Sequence, residues 1–377
     1  MKALVATPYY HPKIGGLENY AHQLNRALKT QENWEIVVVT SNHEGKHDHT
    51  ETIDGMRVYR LGTELKFSNT PIGLSWPFKM RRIIRHERPD VIIAHSPVPS
   101  MADAAALAAG STPLVLIYHA ATLQKEGSLL FKVVAAVYGV YQQLTFGKAR
   151  KILAVSEYVK SGFTPRQQRK TSVLPNAVWT DEVAPRRGQG GDELLFIGSL
   201  DRTHAWKGLE SIIESVALYR SAYGVAPKLT IMGDGNHRAA YEAQAARLGL
   251  HEAITFVGAK SGEDKEAILR RARLLVSYPT TANDAFPTVL LEAWSRGVPA
   301  LFAAIGPMPS LITDGTNGFL ARAGDPAALA EKLHEVLTLP VPKLAAVTRT
   351  AAVSTAAQYT WERQAADVAA ITKGLLR

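Results

Sequence analysis

The stretch KALVATPYYHPKIGGLENYAHQLNRALKTQENWEIVVVTS, residues 2–41, holds an apolar run, a glycine pair, an amphipathic segment and a second apolar run. KALVATPY and EIVVVTS carry Val, Ile and Leu in near-continuous runs, the pattern of strands buried on both faces. Between them, Leu17, Tyr20, Ala21, Leu24 and Leu28 recur at helical spacing. Strand, helix, strand in this order points to a parallel, doubly wound sheet. The pattern continues with DVIIAHS, PLVLIYHA and KILAVS. WTDEVAPRRGQGGD (179–192), with one proline and three glycines, reads as a linker. ELLFIGSL, KLTIMGDG, ITFVGA, RLLVSYP and PALFAAI then restart the pattern. The expectation is an α/β protein of two Rossmann-like domains facing each other across a cleft. Residues 1–180 form the first, 181–355 the second, and 356–377 a last helix that packs back toward the first. Ligands of such sheets bind beyond the carboxyl ends of the strands, so function is sought on the loops there.

Composition narrows the classes. The 377 residues are 46% hydrophobic and 20% charged, as in soluble globular proteins. With no cysteine, disulfides, thiol catalysis and cysteine-ligated zinc are excluded, and a reducing cytoplasm fits. The opening apolar run is too short for a secretory signal, and no segment nears the ~20 apolar residues of a membrane span. A cytoplasmic location is expected. Residues 1–180 hold 22 Lys+Arg against 13 Asp+Glu, while the rest is balanced, so an anionic partner is expected for the first half.

Four places can carry chemistry. In NDAFPTVLLEAW (283–294), Asp284 sits in the loop after RLLVSYP and Pro287 reads as the first residue of a helix. A helix start at a strand end offers free N–H groups to phosphate oxygens. Glu292 lies about a turn and a half further along. It either belongs to a water-facing stripe of Thr288, Glu292 and Arg296, with a Glu–Arg pair, or addresses a ligand. In FIGSLDRTHAWKGLE (196–210), Lys207 ends a strand-to-helix loop, where it can neutralise a diphosphate or merely flank a turn glycine. Gly15 and Gly16 follow the first strand, where a backbone lets a ligand approach or simply turns. His119 ends the strand LVLIYHA, as a structural residue or a ligand contact. His43, His47 and His49 in NHEGKHDH read as a polar loop rather than a metal cluster.

Over nearly its whole length the chain resembles the retaining glycosyltransferases of family four, which have the two-Rossmann GT-B fold. The series is ordered: the early GG, the strand-end histidine, VLPNAV, GSLDRTHAWKGL, IMGDG, ITFVGA and DAFPTVLLEAWSRGVPALF. The last block is the most specific, similar to the family's E-G-F-(G/P)-x-x-x-x-E followed by A-x-x-x-G-x-P. The resemblance implies that a UDP- or GDP-linked sugar binds mainly to the second domain, with no metal and no other cofactor. Glu292 is then similar to the carboxylate that holds the ribose hydroxyls. Asp284 resembles the acid at the donor sugar, and Lys207 the diphosphate lysine. Phe286, Pro287, Thr288 and Gly233 fall in the donor-binding blocks, and Gly16 and His119 would serve from the first domain. Asp284, His119 and Lys207 are the catalytic expectations. The implied reaction is same-face transfer to a glycan or lipid-linked acceptor in polysaccharide or glycolipid synthesis.

Three departures mark this chain. Asp284 stands where the family usually has Glu, and Ala285 replaces a glycine. Ser199 stands where many members have a phosphate arginine, for which Arg202 is the expected substitute. Sugar-nucleotide epimerases share the fold, and Asp284 keeps an inactive nucleotide-sugar binder as a further alternative. WPFKMRRIIRHERP (76–89) reads as a basic amphipathic helix, either lying on an anionic membrane at its inner face or simply solvated. No nucleic-acid partner is expected, because the basic half lacks interleaved aromatics and a recognised module.

Overall fold

The computed structural model describes residues 1–13, 15–67, 70–120, 129–183 and 191–376. Ile14 of the glycine loop and residues 184–190 of the expected linker lie outside the described residues. The chain divides into two compact units, Met1–Asn176 with Trp361–Arg377, and Ala177–Thr360.

The strands of the first unit are β1 (Lys2–Ala6), β2 (Glu35–Asn42), β3 (His49–Ile53), β4 (Met56–Gly62), β5 (Leu65–Phe67), β6 (Thr70–Ile72), β7 (Val91–Ser96), β8 (Leu114–Tyr118), β9 (Lys151–Ala154) and β10 (Thr171–Val173). Eight of them form a sheet in the order β10-β9-β8-β7-β1-β2-β4-β3, and β5 pairs with β6. All pairings in the large sheet are parallel except β3 with β4, which is antiparallel. The strand order reverses between β1 and β7. At such a switch point the loops leave to opposite faces and open a crevice.

The helix Gly16–Gln31 crosses from β1 to β2 and buries Tyr20, Leu24 and Leu28, each contributing roughly 1.5–3 kcal/mol. The helix Trp361–Leu376 packs on it, with the Trp361 ring edge-on to Tyr20 at 5.1 Å. The basic helix spans Trp76–Glu87 and buries Trp76, Met80, Ile83 and Ile84. Its last residue, Glu87, is buried, and burial alone would raise its carboxyl. Hydrogen bonds from Lys2, Tyr59 and Arg57 overcome this and hold it at about 2.

The second unit contains β11 (Leu194–Ile197), β12 (Leu229–Met232), β13 (Ile254–Gly258), β14 (Leu274–Ser277), β15 (Ala300–Ala303) and β16 (Phe319–Ala321). Their order is β13-β12-β11-β14-β15-β16, all parallel, which is the 3-2-1-4-5-6 arrangement of dinucleotide-binding sheets. The switch point lies between β11 and β14. The loops that leave these two strands contain Lys207 and Asp284.

Candidate functional site

Backbone contacts lock the two loops of the second unit together. After β11 the chain makes a 3-10 turn, Arg202–Lys207, that ends on Gly208 at φ 76°. A methyl group on Gly208 would overlap the carbonyl oxygen of Tyr278, just past β14, so glycine is required both by conformation and by contact. The Thr280 N–H donates to the Trp206 carbonyl at 2.8 Å. On the other flank Gly233, at φ 152°, lies against the Gly198 carbonyl with no room for a side chain. Leu200 N–H donates to the Asp234 carbonyl, and His237 N–H to the Leu200 carbonyl, both at 2.9 Å. The loops after β11, β12 and β14 therefore form one layer.

Lys207 lies within electrostatic reach of Asp284. Burial lifts the Asp284 carboxyl above the usual carboxylate range, while Lys207 and the N–H groups of Phe286 and Ala285 pull the other way. Asp284 and Thr281 line a void of about 10 Å³, roughly one water, and the Thr281 hydroxyl is buried without a partner among the described residues. Pro287 is the cap of the following helix rather than its first residue, and the helix runs Thr288–Ser295. A proline with ψ 116° is extended and stands outside the helical run. Phe286 is buried and Thr288 exposed.

Glu292 does not pair with Arg296. Arg296 Nε donates instead to Glu266 Oε2 at 3.0 Å, and Glu292 Oε1 accepts from Lys265 Nζ at 2.8 Å. Glu292 Oε2 is buried and has no partner among the described residues. A buried carboxylate oxygen left bare is costly unless a ligand completes it. Arg202 is exposed, and its backbone N–H donates to Asn236 Oδ1 at 2.9 Å.

In the first unit the helix Gly16–Gln31 starts beside the switch point. A side chain at Gly16 would meet nothing within 4 Å, so neither crowding nor backbone conformation requires glycine there. Tyr20, one turn on, lies edge-on to His119 at 4.7 Å. His119 Nε2 sits 2.8 Å from Nδ1 of His95, the penultimate residue of β7. Burial pushes the His119 imidazole down to about 3 and His95 well below its ordinary value. His95, Lys265 and Thr281 extend the set of residues expected from the sequence.

Next to the basic helix, a groove of about 410 Å³ is lined by Asp48, His49, Tyr59, Phe78, Lys79 and Arg82. Lys79 pairs with Asp48 at 2.8 Å. Phe78 is 79% exposed and Leu74, one turn before it, 69%, with Arg81, Arg82 and Arg85 exposed beside them.

Two family models match the chain, "Glycosyltransferase Family 4" over residues 14–182 and "Glycosyl transferases group 1" over residues 181–354. The D-rhamnosyltransferase WbpZ of Pseudomonas aeruginosa is 27% identical over 346 residues, 86% of this chain and 84% of that protein. The D-inositol 3-phosphate glycosyltransferase of Stackebrandtia nassauensis is 30% identical over 198 residues, 50% of this chain but only 44% of its own length. Among solved structures, Anabaena Alr3699/HepE in complex with UDP matches with a TM-score of 0.77 at 18% identity, covering 99% of this chain and 100% of that one. That likeness shows the fold, two Rossmann-like domains of GT-B type.

Proposed function

The chain belongs to the group 1 glycosyltransferases of family four, and we propose that it is a retaining, metal-independent member using a UDP- or GDP-linked sugar. Glu292 is the observation that carries this reading. Its Oε1 is held by Lys265, and its buried Oε2 awaits a donor, which a ribose hydroxyl supplies as a charge-assisted hydrogen bond. The diphosphate sits over the free N–H groups at Thr288 with Lys207 beside it, and Asp284 addresses the hydroxyls of the donor sugar. As the bond to the leaving diphosphate breaks, negative charge grows on its oxygens. Lys207 and the helix start stabilise that charge without a metal ion. The acceptor attacks on the same face, and the departing diphosphate takes its proton.

Residues 1–180 serve the acceptor, with Gly16 leaving space for a ligand and His119 contributing a ring nitrogen. The acceptor is a glycan or a lipid-linked sugar, in cell-surface polysaccharide or glycolipid synthesis. The exposed Leu74, Phe78 and arginines suit an anionic membrane surface.

A thermal-shift screen across UDP-, GDP- and ADP-sugars tests the donor reading. A donor at 100 times its dissociation constant stabilises the protein by about 2.7 kcal/mol. A screen with no shift for any nucleotide sugar would overturn it.

A further inference from the structure

We propose that His95 is a positioning residue that fixes the tautomer of His119, so that His119 offers its Nδ1–H as a hydrogen-bond donor to an oxygen of the bound sugar or phosphate. The role for His119 rests on the reading above, whereas its tautomer does not.

The sheet brings the two rings together. β7 and β8 are neighbours, with His95 opposite Ile117. His119, two residues further on, therefore lies on the same face as His95. The two rings are nearly parallel, with 11° between their planes and centroids 5.1 Å apart, and His95 Nδ1 lies 2.8 Å from His119 Nε2. One nitrogen of that pair must donate and the other accept. With both imidazoles held neutral by burial, each ring has a single N–H to place.

Two arrangements satisfy the short contact. In the first, His95 Nδ1–H donates to His119 Nε2. His95 then keeps a bare lone pair on Nε2, and the proton of His119 is on Nδ1. In the second, His119 Nε2–H donates to His95 Nδ1, and His95 carries its proton on Nε2. His95 is fully buried and its Nε2 has no partner among the described residues. The second arrangement therefore strands an N–H donor in the interior, whereas the first strands only an acceptor. Orphaned buried donors are the rarer of the two. The first arrangement leaves the half-buried His119 with Nδ1–H as its one remaining donor. A ring already protonated at Nδ1, and neutral at physiological pH, binds an oxygen and does not act as a base through that atom.

The test is long-range 1H–15N correlation spectroscopy on the full chain with 15N-labelled histidine, at pH 7.5 without ligand. The expected result is protonated Nδ1 and unprotonated Nε2 on His119; a His119 with its proton on Nε2 overturns the proposal. His95→Phe keeps the ring shape and removes the donor, and His95→Asn returns an amide N–H near the place of Nδ1. In His95→Phe the His119 tautomer becomes mixed and the acceptor KM rises about tenfold with a smaller change in kcat. His95→Asn recovers most of that loss and the single tautomer. An unchanged His119 tautomer in His95→Phe also overturns it. If His95→Phe does not fold, the wild-type spectrum and His95→Asn decide. Should no nucleotide sugar be used at all, the transferase reading fails while the spectrum still settles the tautomer.

Discussion

Glu292 carries the clearest expectation for a single side chain. Its Oε1 already has Lys265, so Glu292→Gln leaves the fold intact and weakens what Oε2 accepts. A charge-assisted hydrogen bond is worth about 1.5–3 kcal/mol, so nucleotide affinity should fall roughly 10- to 100-fold by calorimetry. An unchanged dissociation constant would return Glu292 to a structural role. The histidine pair makes a different prediction. His119 stays neutral in the folded chain down to about 3, whereas an unfolded imidazole takes a proton near pH 6.5. As pH falls below about 6.5 the unfolded state binds the extra protons, so stability is lost, at up to about 1.4 kcal/mol per pH unit for each imidazole. The Glu87 carboxyl, held at about 2, loses its contribution only below the ordinary carboxylate range. The window from pH 6.5 to 4.5 therefore separates the histidines from Glu87. Denaturant titrations at pH 7.5 and 5.0 should show a smaller difference in a His95→Phe, His119→Phe double variant than in the wild type.

At the level of loops and strands, Gly208 is the point where the Lys207 turn is pressed onto the end of β14. Gly208→Ala adds a methyl into the Tyr278 carbonyl at φ 76°, and should cost more than about 2 kcal/mol of stability by denaturant unfolding. A neutral substitution would show that the two loops are not locked together. Much of this layer was readable in the chain. The apolar runs that became β11, β12 and β14 stand out because strands buried on both faces need unbroken Val, Ile and Leu. β3 did not stand out: HTETI is a polar edge strand, defined by pairing with β4 and not by its own pattern. Spacing offered Arg296 to Glu292, yet the partners came from a neighbouring helix, with Lys265 reaching Glu292 and Glu266 reaching Arg296. Helical spacing reports neighbours within one helix and is blind to those on the next. His95 is the last residue but one of DVIIAHS, just as His119 is of LVLIYHA, so its signal was present. What the sequence lacked was the sheet order that makes β7 and β8 adjacent.

Across the whole molecule, charge is the property that the halves do not share. Residues 1–180 carry the full net excess of +9. Within that half the exposed Phe78 and Leu74 lie among Arg81, Arg82 and Arg85. The protein should co-sediment with phosphatidylglycerol vesicles, less so as salt rises, and Phe78→Ser with Arg82→Glu should weaken this severalfold. Equal binding to neutral and anionic vesicles would remove the membrane from the reading. The return of Trp361–Leu376 to the first unit has a consequence in time. During synthesis the second unit, Ala177–Thr360, is continuous and can fold as soon as it has emerged. The first unit begins earlier yet finishes later, since the helix that covers Tyr20 is translated only after the whole second unit. Until then its apolar face stands open, and the nascent first unit is the part of the chain most in need of a chaperone.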